Sequence, residues 1–236
     1  MSLTDLWDRF TAVQAPPASG LILATAVAAL AAVLVPAVWR LARNLITITH
    51  EGGHALVAVL TGRQLRGIRL HSDTSGLTLA RGKPRGLGMI LTLSAGYLMP
   101  SLLGLAAAAV LATGRVTLLL WAALILLFLV LLLIRNWFGL LSVTVTGAVV
   151  FAVSYYAAEA TQAAITYVAV WFLLIGGVKP VLELRGRRRR GRTGSDPDQL
   201  ARITGVPAGV WIAVFSVANL ACLAYGGYLL VQDWVM

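Results

Sequence analysis

Val116-Thr-Leu-Leu-Leu-Trp-Ala-Ala-Leu-Ile-Leu-Leu-Phe-Leu-Val-Leu-Leu-Leu-Ile134 contains no charged residue. A helix of that length crosses the hydrocarbon layer of a bilayer, whereas a strand or a soluble core helix needs far fewer apolar residues. Working outward, comparable runs occur at 21–38, 89–112, 137–157, 162–182 and 207–231, with a shorter one at 45–60. The pattern predicts an all-α integral membrane protein, a polytopic bundle of about seven transmembrane helices. Composition agrees: 59% of residues are hydrophobic and 12% charged, with mean hydropathy +0.85, against about 25% charged in soluble domains. A soluble enzyme and a disordered chain are thereby excluded, and Cys222, the single cysteine, excludes an intrachain disulfide and a thiolate metal cage.

Residues 1–19 form an N-terminal segment with Asp5, Asp8, Arg9 and Pro16-Pro17, without the basic-then-apolar order of a signal peptide. Residues 20–236 are expected to form one polytopic membrane domain. Two stretches interrupt its apolar pattern. Residues 62–88 carry Arg63, Arg66, Arg69, Arg81, Lys83 and Arg85, and alternate around Ser72-Asp73-Thr74-Ser75-Gly76, which reads as a β-hairpin. Residues 183–206 contain the arginine run Arg185–Arg192.

The net charge of +10 points to topology and anionic lipid rather than nucleic acid. Placing both basic stretches and Arg135 in the cytoplasm, with seven spans, puts the N-terminus inside and the C-terminus outside. Arg40 and Arg43 oppose that scheme, because it leaves them on the outer surface. Anionic lipid is the expected partner of Arg185–Arg192.

Within the 45–60 helix stands Thr49-His50-Glu51-Gly52-Gly53-His54, an H-E-x-x-H. Spacing of i and i+4 places both imidazoles on one helix face, able to share a Zn²⁺, with Glu51 beside them as general base for water. Ionisable residues at the centre of a membrane helix cost about 2.5–3.5 kcal/mol each on insertion scales, so they mark function rather than chance packing.

The stretch His50-Glu-Gly-Gly-His-Ala-Leu-Val-Ala-Val-Leu-Thr-Gly62, followed by Gly67-Ile-Arg-Leu-His-Ser-Asp73, resembles the site-2 protease family of intramembrane zinc metalloproteases, peptidase family M50, and within it the M50B-like bacterial branch. Ala95-Gly-Tyr-Leu-Met-Pro100, Arg135-Asn-Trp-Phe-Gly139 and Ser195-Asp-Pro-Asp-Gln-Leu-Ala-Arg-Ile-Thr-Gly-Val-Pro207 extend the resemblance over most of the chain after about residue 40. It implies a zinc endopeptidase that hydrolyses a peptide bond in or near the transmembrane segment of another membrane protein, with its active site toward the cytoplasm. It also implies that the hairpin is membrane-associated.

The family's third ligand, an Asp in an L-D-G motif inside a later span, has no counterpart here, since Leu140–Gly147 contains no carboxylate. Of the remaining acids, Asp5, Asp8 and Asp233 are terminal, Glu159 lies at the outer end of a span, and Glu183 adjoins the arginines. Asp196 is the first choice, matching a Ser-Asp pair of the M50B-like branch. Asp198, or Asp73 with His71, are the alternatives, and either Asp196 or Asp198 could instead cap a short helix. Asn136 resembles the start of the family's N-x-x-P motif, which implies contact with substrate; a helix N-cap is the plainer role. An open hairpin edge could bind an unwound substrate strand. Trp39, Trp137, Trp171, Trp211 and Trp234 read largely as an interfacial belt.

Two other classes compete. A catalytically inactive relative acting as membrane scaffold or chaperone is favoured by the missing L-D-G carboxylate and disfavoured by the intact Glu51. A transporter with a buried charged site lacks any evident inverted repeat. A regulatory membrane partner or a second copy of the chain is left open.

Overall fold

In the computed structural model, residues 12–15, 17–189, 191 and 194–232 are described. The terminal acids Asp5, Asp8 and Asp233, with Trp234, Arg190 and Arg192, lie outside them. The elements in order are α1 (Ser19–Leu34), α2 (Pro36–Leu60), β1 (Gln64–Leu70), β2 (Gly76–Arg81), α3 (Leu87–Leu111), α4 (Val116–Leu133), α5 (Trp137–Tyr156), α6 (Glu159–Arg189), α7 (Asp196–Thr204) and α8 (Ala208–Val231).

Five helices, α3 to α6 and α8, are each long and apolar enough to cross a bilayer, and α1 with α2 meets that test as a pair bent by 100°. The described chain therefore offers at most six spans rather than seven. The bend has a local cause. Pro36 occupies the first position of α2, where its missing N–H is no loss, and it forces Val35 before it into an extended conformation, φ −76° and ψ 114°. The interrupted ladder frees the Val33 carbonyl, which accepts a hydrogen bond from the Lys179 ammonium on α6. That ammonium also sits 4.5 Å from the Trp39 ring centroid.

With α1 and α2 taken as one bent pair, Arg40 and Arg43 fall just past the bend, early in α2. Gln14, ahead of α1, donates its backbone N–H to Gly114 (2.9 Å) and its side chain to Thr117 (3.2 Å), so the start of α1 lies beside the α3–α4 turn. Arg43 pairs with Glu183 at 3.5 Å, so the first half of α2 lies beside the far end of α6. Glu183 is thus met by Arg43. The arginine run does not begin as a loop, since α6 continues through Arg189. Of the tryptophans, Trp39 and Trp171 are buried in the core while Trp137 is exposed.

α2 and α3 pack very closely. A Cβ at Gly53 would stand 2.6 Å from Met99 Cβ and 3.0 Å from the Ala95 carbonyl, so no larger residue fits there. The hairpin pairs antiparallel from Gln64 opposite Arg81 to Leu70 opposite Gly76, with a bulge between Leu65 and Gly67. Its β1 edge docks on the α4–α5 connection. Arg135 donates its backbone N–H to the Ile68 carbonyl (2.9 Å), and the Asn136 side chain both accepts from Leu70 N–H (3.1 Å) and donates to Leu70 C=O (2.7 Å). α4 and α5 turn most of their leucines and phenylalanines outward, as lipid-facing helices do.

Among α3, α6 and α8 the fully buried Asn219 donates to the carbonyls of Tyr97 (3.0 Å) and Gly177 (3.1 Å). Interhelical hydrogen bonds of this kind contribute about 0.6–2 kcal/mol in membranes. Asn219→Ala is expected to destabilise the bundle by about 1 kcal/mol, read as a lowered midpoint of thermal unfolding in detergent, and an unchanged midpoint would show that the amide does not bind the three helices together.

Candidate metal centre

The apolar stripe of α2 faces α3, and the H-E-x-x-H turn lies on that stripe. His50 and His54, one turn apart, converge with their Nε2 atoms 3.1 Å from each other. Asp196 Oδ2, at the start of α7, lies 3.3 Å from each of the two nitrogens. Among the described residues this is the one cluster of three or more His, Cys, Asp or Glu able to share a metal ion. Sequence spacing could not place Asp196 here. The short α7 does so, seated by the buried Leu200 among Leu93, Val181, Leu184, Ile212 and Phe215.

Two features shape the imidazole pair. Gly96 on α3 leaves room for it, because a Cβ there would overlap both rings. His54 Nδ1 lies 2.7 Å from the Thr92 carbonyl. A carbonyl can only accept, so in the neutral imidazole Nδ1 carries the proton and Nε2 presents a lone pair to the cluster. Tyr97 packs edge-on against His50, ring centroids 4.7 Å apart. Burial pushes the Asp196 carboxyl up, but hydrogen bonds and charge from His50 and His54 in their protonated form, the alternative to sharing a metal, outweigh it and hold the group below the usual carboxylate range.

Three donors that face one another across 3.1–3.3 Å can share one cation between them, a metal ion or a proton. A tetrahedral ion with ligands at about 2.0–2.1 Å sets its donors about 3.3 Å apart, so this triangle has the dimensions of one face of a zinc coordination shell. The residues present therefore fit the metal that the sequence motif implies.

Glu51, 4% exposed, lines the same cleft of about 350 Å³ as the three donors. Its carboxylate is held by Thr78 on β2, whose hydroxyl donates to Oε2 at 2.6 Å. A Cβ at Gly76 would collide with the same carboxylate, so the strand lies directly against it. Leu77, Ala80, Met89, Leu93 and Tyr97 add an apolar wall, and Arg63, Ser195 and Gln199 a polar one.

The other sequence candidates have different surroundings. Asp198 turns to Ser195 and Arg188. Asp73 is exposed in the hairpin turn, where Ser75 donates to it through backbone and hydroxyl (2.9 and 2.6 Å) and holds its carboxyl below the usual range. Asn136 stands at the N-cap position of α5 without capping it by side chain, its amide being engaged with Leu70. Thr78 and Thr92 escaped the sequence reading, and Gly96 entered it only within Ala95–Pro100, without its part in seating the imidazoles. Alternation in Leu77-Thr78-Leu79 put Thr78 on one face of a strand, but a backbone carbonyl and an empty side-chain position leave no such trace.

The model of the Peptidase M50B-like family matches residues 23–226, a stretch that includes His50, Glu51, His54 and Asp196. No curated protein and no solved structure matches the chain.

Gly96→Ala is expected to lower the zinc content of purified protein sharply, approaching that of His54→Ala, since the added methyl displaces both rings. Gly147→Ala, where a Cβ meets nothing within 4 Å, serves as the control. Elemental analysis finding full zinc in Gly96→Ala would contradict the geometry of the pair.

Proposed function

This chain belongs to the Peptidase M50B-like family, and from that premise we propose that it is an intramembrane zinc endopeptidase, cutting a peptide bond in or near the transmembrane segment of a membrane-protein substrate. The observation that carries this reading is the convergence of His50, His54 and Asp196 on one side of a cleft that Glu51 also lines. A scaffold has no use for a carboxylate held ready beside three ligands. When bound there by His50, His54 and Asp196, Zn²⁺ supplies the Lewis acid of a metallohydrolase.

The chain's own residues do the rest. Glu51 takes the proton of the attacking water and returns it to the leaving amide nitrogen, which balances the hydrolysis without an outside acid. Thr78 keeps its carboxylate oriented between these two transfers. Thr92 fixes the His54 ring. Among the described residues no strand pairs with the second edge of β2, and Gly76, Leu77, Thr78 and Ala80 of β2 line the cleft. A substrate segment that unwinds from helix to strand can add to that edge and present its carbonyl, which a helix would keep hydrogen-bonded. Asn136 contributes indirectly, by holding the hairpin through Leu70.

The reading extends to orientation. We place the basic end of the bundle, with Arg40, Arg43, the hairpin, Arg135 and the arginine run, in the cytoplasm, and the cleft with it. The bent α1–α2 pair then counts as one crossing. Six crossings put the segment before α1 and the far end of α8 outside together. Anionic headgroups would gather at the arginine run by about 1 kcal/mol per residue.

Glu51→Gln is expected to keep zinc and fold while slowing proteolysis by about 10²–10⁴-fold, the usual contribution of a general base. The comparison uses zinc analysis and whole-cell proteomics of membrane-protein processing against wild type and a deletion strain. A zinc-loaded variant that restores every processing event would make the scaffold reading the correct one. For orientation, a cysteine at Val13 in a Cys222→Ala background is expected to react with an impermeant reagent from outside intact cells, whereas one at Ser75 reacts only after lysis; the reverse pattern would invert the placement.

A further inference from the structure

The third donor of the cluster does not sit on a membrane-spanning helix. Asp196 opens α7, which has only nine residues, too few to hold a side chain to a fraction of an ångström by its own hydrogen bonding. Something must fix the start of that helix against the imidazoles. The side chain of Asp198 lies two residues further on, 11% exposed, and is directed at the chain just ahead of Asp196. Its Oδ2 accepts from the Gly194 N–H (3.0 Å), the Ser195 N–H (3.1 Å) and the Ser195 hydroxyl (2.7 Å). Its Oδ1 accepts from the Arg188 guanidinium, at the end of α6.

We propose that Asp198 is the positioning residue of this centre: through its bonds to Gly194 and Ser195 it sets where Asp196 stands, and through Arg188 it ties that setting to α6. This rests on the metal reading and adds what holds the third ligand. An ordinary helix cap would need only the Ser195–Asp198 exchange. The ion pair with α6 is an additional tether, joining a nine-residue helix to a 31-residue one. Arg188 thereby acts on the site without touching it, and the arginine run is anchored at one residue to the metal-binding end of the protein.

The test is zinc affinity, measured by chelator competition on detergent-purified full-length protein, together with the visible spectrum of the Co²⁺-substituted form. Asp198→Ala is expected to weaken zinc binding about 10–100-fold, the usual effect of removing a group that orients a metal ligand, and to alter the Co²⁺ bands as the carboxylate leaves its place. Asp198→Glu, which keeps the charge and suits this position of a capping box, should restore both. Arg188→Gln leaves the cap intact and answers the question if Asp198→Ala does not fold: it should weaken zinc binding and make the affinity less sensitive to added salt than in wild type. Wild-type affinity and spectrum in both Asp198→Ala and Arg188→Gln would overturn the proposal while leaving the metal reading in place. Zinc retained by Asp196→Ala but lost in Asp198→Ala would make Asp198 a ligand and overturn it too. A wild-type protein that binds no zinc would remove the metal reading itself.

Discussion

Two imidazole nitrogens and a carboxylate oxygen turned toward one another, among helices made mostly of alanine, leucine and valine, form the constraint around which this protein is arranged. Donors of that kind repel unless a cation joins them, and each costs free energy to withdraw from water. Nearly every unusual feature nearby makes room for them or holds them still. Gly96 yields its side-chain volume to the rings, Gly53 lets α2 approach α3, Thr92 fixes one imidazole, and α7 exists to bring a carboxylate from the far end of the chain.

The hairpin answers a second requirement. Glu51, a carboxylate in a largely apolar bundle, cannot lie bare against hydrocarbon. β2 covers it with a glycine, where there is no side chain to obstruct, and with a threonine that supplies one hydroxyl. The cost of burying the carboxylate is met by a hydrogen bond that leaves its remaining acceptor capacity for water. The proposed base and the proposed substrate edge thereby touch, so the strand that would receive the substrate also orients the carboxylate that would deprotonate the attacking water.

What could be read from the sequence divides along physical lines. Helical apolar runs and the i, i+4 histidines are local, and from residue 89 onward the expected runs agree with the helices observed. Pro36 was equally visible, yet averaging hydropathy across 21–38 hid the break it imposes, and with it the number of helices able to span a bilayer and the place of Arg40 and Arg43 just past a bend. Asp196 could be named only by elimination and by likeness to a family, since its distance from His54 is set by α6, α7 and α8 packing together. Thr92 was beyond reach, because its contribution is a main-chain oxygen. For Asn136 the sequence supplied two roles, substrate contact and helix cap, while its amide takes the place of a strand beside Leu70.

That substitution has a consequence for how the protein survives in a crowded membrane. A two-stranded hairpin ordinarily exposes two rows of unsatisfied backbone groups, and either can template pairing with a neighbour. Here the row along β1 is closed by Arg135 and by a single asparagine that mimics a peptide group on both its donor and acceptor sides. Among the described residues, the row beside the cleft stays open. The hairpin is made one-sided, so the stickiness that would drive sheet-to-sheet aggregation between copies is confined to the edge that lines the cleft.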